Sequence, residues 1–499
     1  MIGPANPGVG SWPARRARIS PDRTALVQAG RTLTYSELAH RVDRLAAVLA
    51  GLGVRRGDRV AYLGVNDINV FETLFATALC GAIFVPLNYR LSGTEIGYML
   101  ADSGASLLVH SADADELVAS AGPLPPVLRT ADFDVQLAGE RPTAEVLLDD
   151  PCLLLYTSGT TGKPKAAVLT HANLTWNTIN QLAHFDVLST DRALCIAPLF
   201  HCVGLGQITL PTLFKGGSVE PVARFDPGVV LARIEQARIT GFSAVPTMLQ
   251  MMCQDPAWDT TDLSSLTCVL YGGSPVQERV ARAWLDRGVR LLQGYGMTEA
   301  SPGVSMATHD GTLGHPVSAG VAHFFTDIAA LGQDDVVTLG AQPAELLVRG
   351  PNVFSGYWNR PQESRDAFVA GEWFRTGDVV RVDDDGWAHV VDRVKDLIIS
   401  GGENVYPAEI EAVIAQVDEV ESCAVVGVPD ERWGEAGVAY VVTRAELGET
   451  ALREHLEANL ARYKVPKHVV FVDTLPRNAT GKVRRVELRA RAAVTFAPA

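Results

Sequence analysis

Residues 152–171 read CLLLYTSGTTGKPKAAVLTH, in which an apolar run leads directly into a loop rich in glycine, hydroxyl groups and lysine. The apolar run has the length and composition of a buried strand. The loop at 157–165 offers backbone N–H groups, hydroxyls and two ammonium groups, which are the donors that bind a polyphosphate. Taken alone, the same composition is equally typical of an exposed flexible loop. The stretch therefore predicts phosphate binding only if its surroundings agree.

The loop does not match the P-loop of nucleoside triphosphatases. With Gly159 as the first glycine of that motif, the second would fall on Pro164, and no Lys-Ser or Lys-Thr pair follows. A dinucleotide-dependent oxidoreductase is disfavoured as well, because no G-x-G-x-x-G follows the first predicted strand. The phosphate-binding hypothesis thus needs another kind of loop.

Short apolar runs alternate with helical patterns on both sides of this loop. One helix begins at the capping box Thr34–Glu37, and predicted strands such as LTCVLYGG and VRLLQGYGMTE end in turns rich in small residues. Such alternation indicates βα units and a parallel sheet. Because open α/β sheets bind ligands at the carboxyl ends of their strands, we expect these turns to line one cleft.

The whole chain is expected to hold more than one domain, since it has 499 residues of which 47% are hydrophobic. We predict an α/β fold with a large N-terminal domain of doubly wound sheets at 1–394. This domain includes a β-rich subdomain at about 320–394, where the extended segments become shorter. A small α+β domain is expected at 395–499.

The composition excludes several classes of protein. A formal charge of −14 argues against nucleic acid as a partner, which needs a basic face. The first residues lack the apolar core of a signal peptide, and the longest apolar stretch is too short to span a bilayer. We expect a cytoplasmic protein without an integral membrane segment.

Cysteine and lysine usage give two further expectations. The seven cysteines are scattered without a C-x-x-C pair, so we expect free thiols and no zinc site. Only seven of the 43 basic residues are lysines, at 163, 165, 215, 395, 464, 467 and 482. A chain that uses arginine nearly everywhere can keep lysine where a compact ammonium is needed, although chance explains any single lysine equally well.

The loop at 157–165, with Tyr156 before it and His171 after it, resembles the signature loop of the adenylate-forming superfamily. This superfamily includes acyl-CoA synthetases, the adenylation domains of nonribosomal peptide synthetases, and luciferases. Further segments resemble the other motifs of the family, in the same order. They are APLFH (197–201), YGGSP (271–275), GYGMTE (294–299), ELLVRGPNVFSGYW (345–358), WFRTGD (373–378), DRVKDLIISGGENVYPAEIE (392–411) and LPRNATGKVRR (475–485). The last three are most similar to the fatty-acid and aryl-acid CoA ligases.

The resemblance implies a ligase that joins a carboxylate to the α-phosphate of ATP, releases pyrophosphate, and then transfers the acyl group to the thiol of coenzyme A. Both steps crowd anions together, so cations and oriented donors are needed where charge concentrates. The implied cofactors are ATP, Mg²⁺ and coenzyme A.

By resemblance, the loop holds the β- and γ-phosphates, Thr298 donates to the α-phosphate, and Glu299 holds Mg²⁺ together with Thr157. The residues of the loop that this assigns are Thr157, Ser158, Gly159, Thr160, Thr161, Gly162, Lys163 and Lys165. Tyr295 would lie against adenine near Gly273 and Ser274, and Asp378 would accept hydrogen bonds from the ribose, with Arg393 as its partner.

The small domain is implied to be mobile, with its hinge at Lys395. In one orientation Lys482 would bridge the substrate carboxylate and the α-phosphate as the catalytic lysine. In the other, the segment with Ser400, Gly401 and Gly402 would face the site for thioester formation. A lysine in a basic tail is normally only a solvated charge. Its place after glycine in this motif favours the catalytic role.

The acid is expected to be fatty or aryl rather than an amino acid. Amino-acid-activating relatives carry an Asp near APLFH, and here no carboxylate stands between Pro198 and Lys215. His201 resembles the gate residue of CoA ligases, although a lone histidine beside phenylalanine is as often a core residue. Two departures from the family pattern are Ala166 and Ala344, where glycine is usual; a Cβ at 166 would limit loop closure if that position needed a positive φ.

Three alternatives stay open at this point. A ligase that loads the phosphopantetheine arm of a carrier protein shares the same thiol chemistry. Luciferase-like oxygenation is remote. A non-catalytic adenylate-binding protein would be expected to lack Lys482 or Glu299, and both are present. The partners we expect are a small-molecule carboxylate and CoA or a carrier protein; the oligomeric state cannot be predicted.

Overall fold

The computed structural model describes residues 6–133, 144–157, 164–273, 276–308, 312, 314–315, 318–332, 336–393, 396–400, 403–431, 433–478 and 481–496, without the side chains of 393, 403 and 404. The chain divides into two compact units. The first comprises Met1–Ile328 and Val348–Phe374, and the second comprises Ala329–Leu347 and Arg375–Ala499. The predicted domain boundary and hinge at Lys395 stay predictions.

Helices in the first unit are α1 (Trp12–Ile19), α2 (Tyr35–Gly51), α3 (Ile68–Leu79), α4 (Gly93–Ser103), α5 (Asp115–Ser120), α6 (His171–His184), α7 (Cys202–Gly206), α8 (Thr209–Lys215), α9 (Pro227–Ala237), α10 (Pro246–Gln254), α11 (Glu278–Asp286) and α12 (Pro361–Asp366). Those in the second unit are α13 (Pro407–Ile414), α14 (Glu449–Asn459) and α15 (Arg485–Phe496).

The first fifteen strands are β1 (Thr24–Gln28), β2 (Arg31–Thr34), β3 (Arg59–Leu63), β4 (Ile83–Leu87), β5 (Leu107–His110), β6 (Val127–Arg129), β7 (Pro151–Thr157), β8 (Lys165–Thr170), β9 (Arg192–Cys195), β10 (Ser218–Pro221), β11 (Gly241–Ala244), β12 (Cys268–Gly272), β13 (Leu291–Gly296), β14 (Gly303–Met306) and β15 (Val321–Ala322). The later strands are β16 (Asp327–Leu331), β17 (Val336–Val337), β18 (Ala344–Arg349), β19 (Phe368–Val369), β20 (Trp373–Val382), β21 (Ala388–Arg393), β22 (Ile398–Ser400), β23 (Glu403–Val405), β24 (Val420–Asp430), β25 (Gly434–Thr443) and β26 (His468–Phe471).

Each of two sheets in the first unit has a run of parallel strands at its centre and antiparallel strands toward an edge. Among the described residues, the larger sheet has the order β15-β14-β13-β12-β11-β9-β10-β1-β2 and the smaller one the order β6-β5-β3-β4-β7-β8. In the larger sheet, β9 lies between β10 and β11 and runs parallel to both. The chain order therefore reverses between β9 and β11, which is the switch point where ligands bind in such sheets. The predicted α/β architecture is confirmed.

An aromatic core fixes the strands next to this switch point. The ring of Trp284 in α11 is fully buried, 4.6 Å from the ring of Trp258 and 5.9 Å from that of Phe242 in β11. Helices α9, α10 and α11 cover the same core. Packing of this density holds the carboxyl ends of β11, β12 and β13 in place at one edge.

The second unit is built on the long antiparallel pair β24–β25, which extends from Val420↔Thr443 to Asp430↔Gly434. Helices α13 and α14 cover one face with Ile410, Ile414, Leu452 and Leu456. Helix α15 contributes Leu488 and Ala492 to a separate apolar cluster with β24 and β25. The predicted α+β character of this region follows from these two layers.

The state of the cysteines and the length of the helices bear on two predictions made from the composition. The cysteines are free thiols, of which Cys253 and Cys423 are half-buried and the other five buried. Among the residues described, none of the helices combines the length and the apolar character that crossing a bilayer requires.

Candidate active site

The phosphate loop predicted from sequence is carried by a β-hairpin. Strands β7 and β8 pair as far as Thr157↔Lys165, and the Thr157 hydroxyl donates to the Lys165 carbonyl at 3.4 Å. The loop residues Ser158, Gly159, Thr160, Thr161, Gly162 and Lys163 lie outside the described part of the chain.

Both ends of this loop are attached to helix α4. The Tyr156 hydroxyl donates to Asp102 Oδ2 at 3.0 Å, and the Tyr98 hydroxyl donates to the carbonyl of Pro164 at 3.1 Å. Arg360 Nη2 donates to the other oxygen of Asp102 at 2.7 Å. The segments on either side of the loop are therefore held by side chains distant in sequence.

Tyr357 links the loop to Glu299. Its hydroxyl donates to Glu299 Oε1 at 2.9 Å, and the Lys165 ammonium lies 3.5 Å from the centroid of its ring. The same ammonium donates to Glu363 Oε2 at 3.1 Å. Burial, and next the charge of Glu299, raise the pKa of the Tyr357 hydroxyl, so it stays protonated as a donor. One aromatic side chain thus positions a cation and a carboxylate that the sequence predicted for phosphate and metal binding.

Tyr357 reaches this place because its segment pairs with β8. Val168 N–H donates to the carbonyl of Gly356 at 2.9 Å, and Trp358 N–H donates to that of Ala166 at 2.8 Å. Ala166 is a buried residue of β8 and has no positive φ. Extended backbone accepts a Cβ without strain, so the condition under which Ala166 would restrict the loop is not met.

Thr298 and Glu299 lie in a short 3₁₀ helix after β13 that glycine and asparagine hold in place. A Cβ on Gly296 would overlap the carbonyl oxygen of Pro302. Buried Asn352 donates through Nδ2 to the carbonyls of Ala300 and Gly303, at 3.0 and 2.7 Å. Sequence reasoning missed Asn352 and Tyr357, although both stand in the segment ELLVRGPNVFSGYW that it singled out.

The predicted adenine site falls at the carboxyl ends of two neighbouring strands. β12 and β13 pair in parallel with Gly272 opposite Gly294, so Gly273 and Tyr295 both follow directly at the same edge. Gly273 has φ of +92°, a conformation that favours glycine. Ser274 lies outside the described residues.

His201 is the N-cap residue of helix α7, six positions after the end of β9 at the switch point. The His201 ring lies 4.6 Å from that of Phe200, which in turn packs edge-on against Tyr89 at 5.4 Å. The next residue, Cys202, has its sulfur 3.7 Å from the Thr298 hydroxyl. The predicted gate residue and the predicted α-phosphate donor therefore flank the same short helix.

In the second unit, Asp378 is a buried residue of β20. It stands opposite Arg393 of β21 in the antiparallel pair, and its N–H donates to the Thr376 hydroxyl at 3.1 Å. The backbone thus brings Asp378 and Arg393 together as predicted, while the Arg393 side chain lies outside the described part. Lys395, Gly401 and Gly402 lie outside it as well, and Ser400 ends β22 opposite Gly434 of β25.

Lys482 is exposed on a tight turn. Its N–H donates to Asn478 Oδ1 at 2.9 Å, its carbonyl accepts from Asn478 N–H at 2.8 Å, and Gly481 before it has φ of +80°. The long side chain is therefore presented from a defined backbone position.

A half-buried ion pair anchors the chain just after this turn. Arg485 donates to both carboxylate oxygens of Glu411, at 2.7 and 2.8 Å, and also to the carbonyl of Val425 at 2.7 Å. Burial raises the pKa of the Glu411 carboxyl, and Arg485 opposes that shift. This bidentate pair of Arg485 and Glu411, called the fork below, fixes the first residue of α15, three positions after Lys482.

The family model described as AMP-binding enzyme matches residues 13–358, and the model described as AMP-binding enzyme C-terminal domain matches 409–482. The chain belongs to the AMP-binding enzyme family. The resemblance inferred from the sequence motifs is thereby confirmed.

Two relatives that match nearly the whole chain are named as a CoA synthase and a CoA ligase. A feruloyl-CoA synthase of Amycolatopsis sp is 50% identical over 491 residues, covering 97% of this chain and 99% of that protein. An indoleacetate–CoA ligase of Aromatoleum aromaticum is 41% identical, covering 96% of this chain and 97% of that protein. These relatives confirm the predicted class, an AMP-forming acid–thiol ligase.

Among solved structures of AMP-binding enzymes, o-succinylbenzoate CoA synthetase from Bacillus subtilis is similar in fold. Its complex with ATP and magnesium ion has a TM-score of 0.88 and 32% identity, covering 96% of this chain and 99% of that one. Its complex with the acyl-adenylate intermediate has a TM-score of 0.87, covering 96% of this chain and 98% of that one.

Proposed function

We propose that this chain is an ATP-dependent CoA ligase for an aryl-substituted carboxylic acid. In the first step a carboxylate oxygen bonds to the α-phosphorus of ATP, and pyrophosphate leaves. In the second step the thiol of coenzyme A loses its proton, its sulfur bonds to the acyl carbon, and AMP leaves. Each step brings anions together, so the side chains that receive them need to supply positive charge and hydrogen-bond donors.

The contact of Lys165, Tyr357 and Glu299 carries this proposal. It places an ammonium over the face of one ring and a carboxylate at the hydroxyl of the same ring, next to the hairpin whose loop has the donors for a polyphosphate. Carboxylate and hydroxyl oxygens are the hard ligands that Mg²⁺ prefers, so Glu299 and Thr157 fit the ion. When bound, Mg²⁺ would neutralise charge on the phosphates.

The remaining roles follow the same chemistry. Thr298 donates to the α-phosphate as negative charge builds there, and Asp378 accepts from the ribose hydroxyls. Lys482, exposed on its turn, neutralises the carboxylate and the α-phosphate while their bond forms. In the second step the segment that begins at Ser400 replaces the turn with Lys482, so one site serves two reactions.

An aryl acid is favoured over an amino acid and over a long alkyl chain. The segment between Pro198 and Lys215 has no carboxylate to pair with an ammonium. Two relatives over nearly the whole chain are named for ferulate and indoleacetate, both aryl acids. A long-chain-fatty-acid–CoA ligase of Mycobacterium tuberculosis is less similar, at 36% identity.

The test is carboxylate-dependent exchange of labelled pyrophosphate into ATP, with acyl-CoA formation followed in parallel. The panel would contain aryl, straight-chain and amino acids. Exchange and acyl-CoA formation with aryl acids are expected. Exchange without acyl-CoA would instead indicate a carrier protein as acceptor, and no exchange with any acid would contradict the ligase.

A further inference from the structure

Gln207, the residue after α7, is a buried amide that lacks a hydrogen-bond partner. Its side chain is only 5% exposed, and its Oε1 is buried without a partner among the described residues. Nearly all buried polar groups in proteins are paired, because an unpaired one destabilises the folded state. A polar group of a bound ligand can satisfy an amide of this kind.

The amide lies at the carboxyl ends of β12 and β13. Ideal Cβ atoms on Gly272 and Gly294 would lie 3.1 and 2.9 Å from its Nε2. These two glycines are opposite each other in the sheet. Because glycine has no side chain, the amide can lie directly against the backbone of both. Rotation of the amide by half a turn exchanges its oxygen and nitrogen, so either a donor or an acceptor can face this edge.

Helix α7 spans the distance between Gln207 and the reacting centre. Its first residue, Cys202, contacts Thr298, which is the α-phosphate donor if the proposed function holds. Gln207 follows Cys202 by five positions, which corresponds to a helical rise of about 7.5 Å. An aromatic ring joined to its carboxylate through a short spacer has a comparable length.

We propose that Gln207 determines specificity by hydrogen bonding a hydroxyl group on the ring of the aryl acid, at the end distant from the carboxylate. With the amide rotated by half a turn, its oxygen takes the place of Nε2 beside Gly272 and Gly294 and accepts a hydrogen bond from the phenolic O–H. The substrate class is then hydroxy-aryl acids. An analogue without the hydroxyl leaves the amide unpaired, and sites built for a hydroxyl reject such analogues strongly. This inference rests on the proposed ligase.

The experiment compares 4-hydroxycinnamate with cinnamate by the ratio of their kcat/KM values in acyl-CoA formation. The wild type is expected to favour the hydroxylated acid at least about tenfold, as one lost buried hydrogen bond predicts. Gln207→Leu and the more nearly isosteric Gln207→Met should bring the ratio close to one, mainly by slowing the hydroxylated acid.

Gln181→Leu is the matched control. Gln181, in α6, is also fully buried with an unpartnered Oε1, so its loss should affect stability without changing the ratio. A wild type that uses both acids equally, or Gln207 variants that keep its preference, would overturn the proposal. Should neither variant fold, equilibrium binding of the two acids to the wild type decides, since equal affinities would also overturn it. If the proposed ligase function is wrong, the result is different from a failure of the role of Gln207, because no acid would then support pyrophosphate exchange.

Discussion

Tyr357 joins two groups of opposite charge through one ring, and its hydroxyl and its aromatic face can be tested separately. Tyr357→Phe removes the hydrogen bond to Glu299 and keeps the ring beneath Lys165. A hydrogen bond to a charged group contributes about 1.5–3 kcal/mol, so the Mg²⁺ concentration for half-maximal pyrophosphate exchange should rise at least about tenfold.

A buried tyrosine elsewhere in the first unit provides the control for this variant. The hydroxyl of Tyr35 donates to the carbonyls of Leu213 and Gly217. Tyr35→Phe should lower the thermal stability without changing the Mg²⁺ dependence. An unchanged Mg²⁺ dependence in Tyr357→Phe would contradict the role of Tyr357.

His171 should make the first unit sensitive to acid. Burial lowers the pKa of His171 to about 4 from its usual 6.5, and its Nδ1 accepts a hydrogen bond from Val9 N–H. Between these values the unfolded chain binds a proton that the folded chain does not, so stability falls as the pH falls through this window. The loss by about pH 4 is on the order of 3 kcal/mol. His171→Gln keeps an acceptor without titrating, and should reduce the fall of the melting temperature between pH 7 and about pH 4.5; the exposed His40→Gln should not. Part of the fall should remain, because burial also lowers the pKa of His184 and His323.

For single residues, the sequence predicts those that stand in motifs, but it does not predict the residues that hold these in position. Thr298, Glu299 and Lys165 were predicted because their neighbours in the chain identify them. The contacts of Tyr357 with Glu299 and Lys165 join residues 58 and 192 positions apart, and no local pattern indicates such a pair. The unpaired amide of Gln207 likewise depends on strands that only the folded sheet brings together.

The start of α15 depends on the fork between Arg485 and Glu411. Glu411→Gln removes the negative charge from a half-buried pair, while Arg485 keeps the carbonyl of Val425 at 2.7 Å and Asp396 at 4.0 Å. The cost should therefore lie below the ~3–5 kcal/mol of breaking a fully buried pair. We expect Glu411→Gln to lower the thermal stability of the full chain. It should also slow acyl-adenylate formation more than the transfer of a supplied acyl adenylate to CoA, since the turn with Lys482 is proposed to serve only the first step.

The neighbouring Arg484 offers a matched control for the fork. Its side chain is 61% exposed and pairs only with Glu487 at 3.1 Å among the contacts described. Arg484→Ala should change neither the stability nor the ratio of the two steps. Equal slowing of both steps in Glu411→Gln would show that the fork acts on stability alone.

Elements were predictable where their signals are local. The capping box at Thr34 and the apolar spacing after it predicted α2, and the run CLLLY predicted β7. The order of the strands and the pairing of 355–358 with β8 were not predictable, because hydrogen bonds between distant segments leave no periodicity in either one.

At the scale of the whole molecule, the two half-reactions are expected to need different orientations of the second unit. Lys395→Pro would restrict φ at the proposed hinge. One half-reaction should then continue while the other falls at least about 100-fold, because a small misplacement of the reacting groups has effects of that size. Pyrophosphate exchange measures the first half-reaction and acyl transfer to CoA measures the second, so the two rates are compared separately. Lys395→Ala is the control, and equal loss of both steps would contradict the hinge.

The burial of the native thiols has a practical consequence for fluorescence labelling. Burial raises the pKa of Cys80, Cys195 and Cys268 to about 12 and that of Cys253 to about 11, and it raises the pKa of Cys152 and Cys423 further. Maleimide dyes react with thiolates, so these groups would label slowly at neutral pH. New cysteines at Ile19, 69% exposed, and Val494, 90% exposed, would react first. A donor and acceptor dye pair could then follow the enzyme through its cycle without removal of the native cysteines.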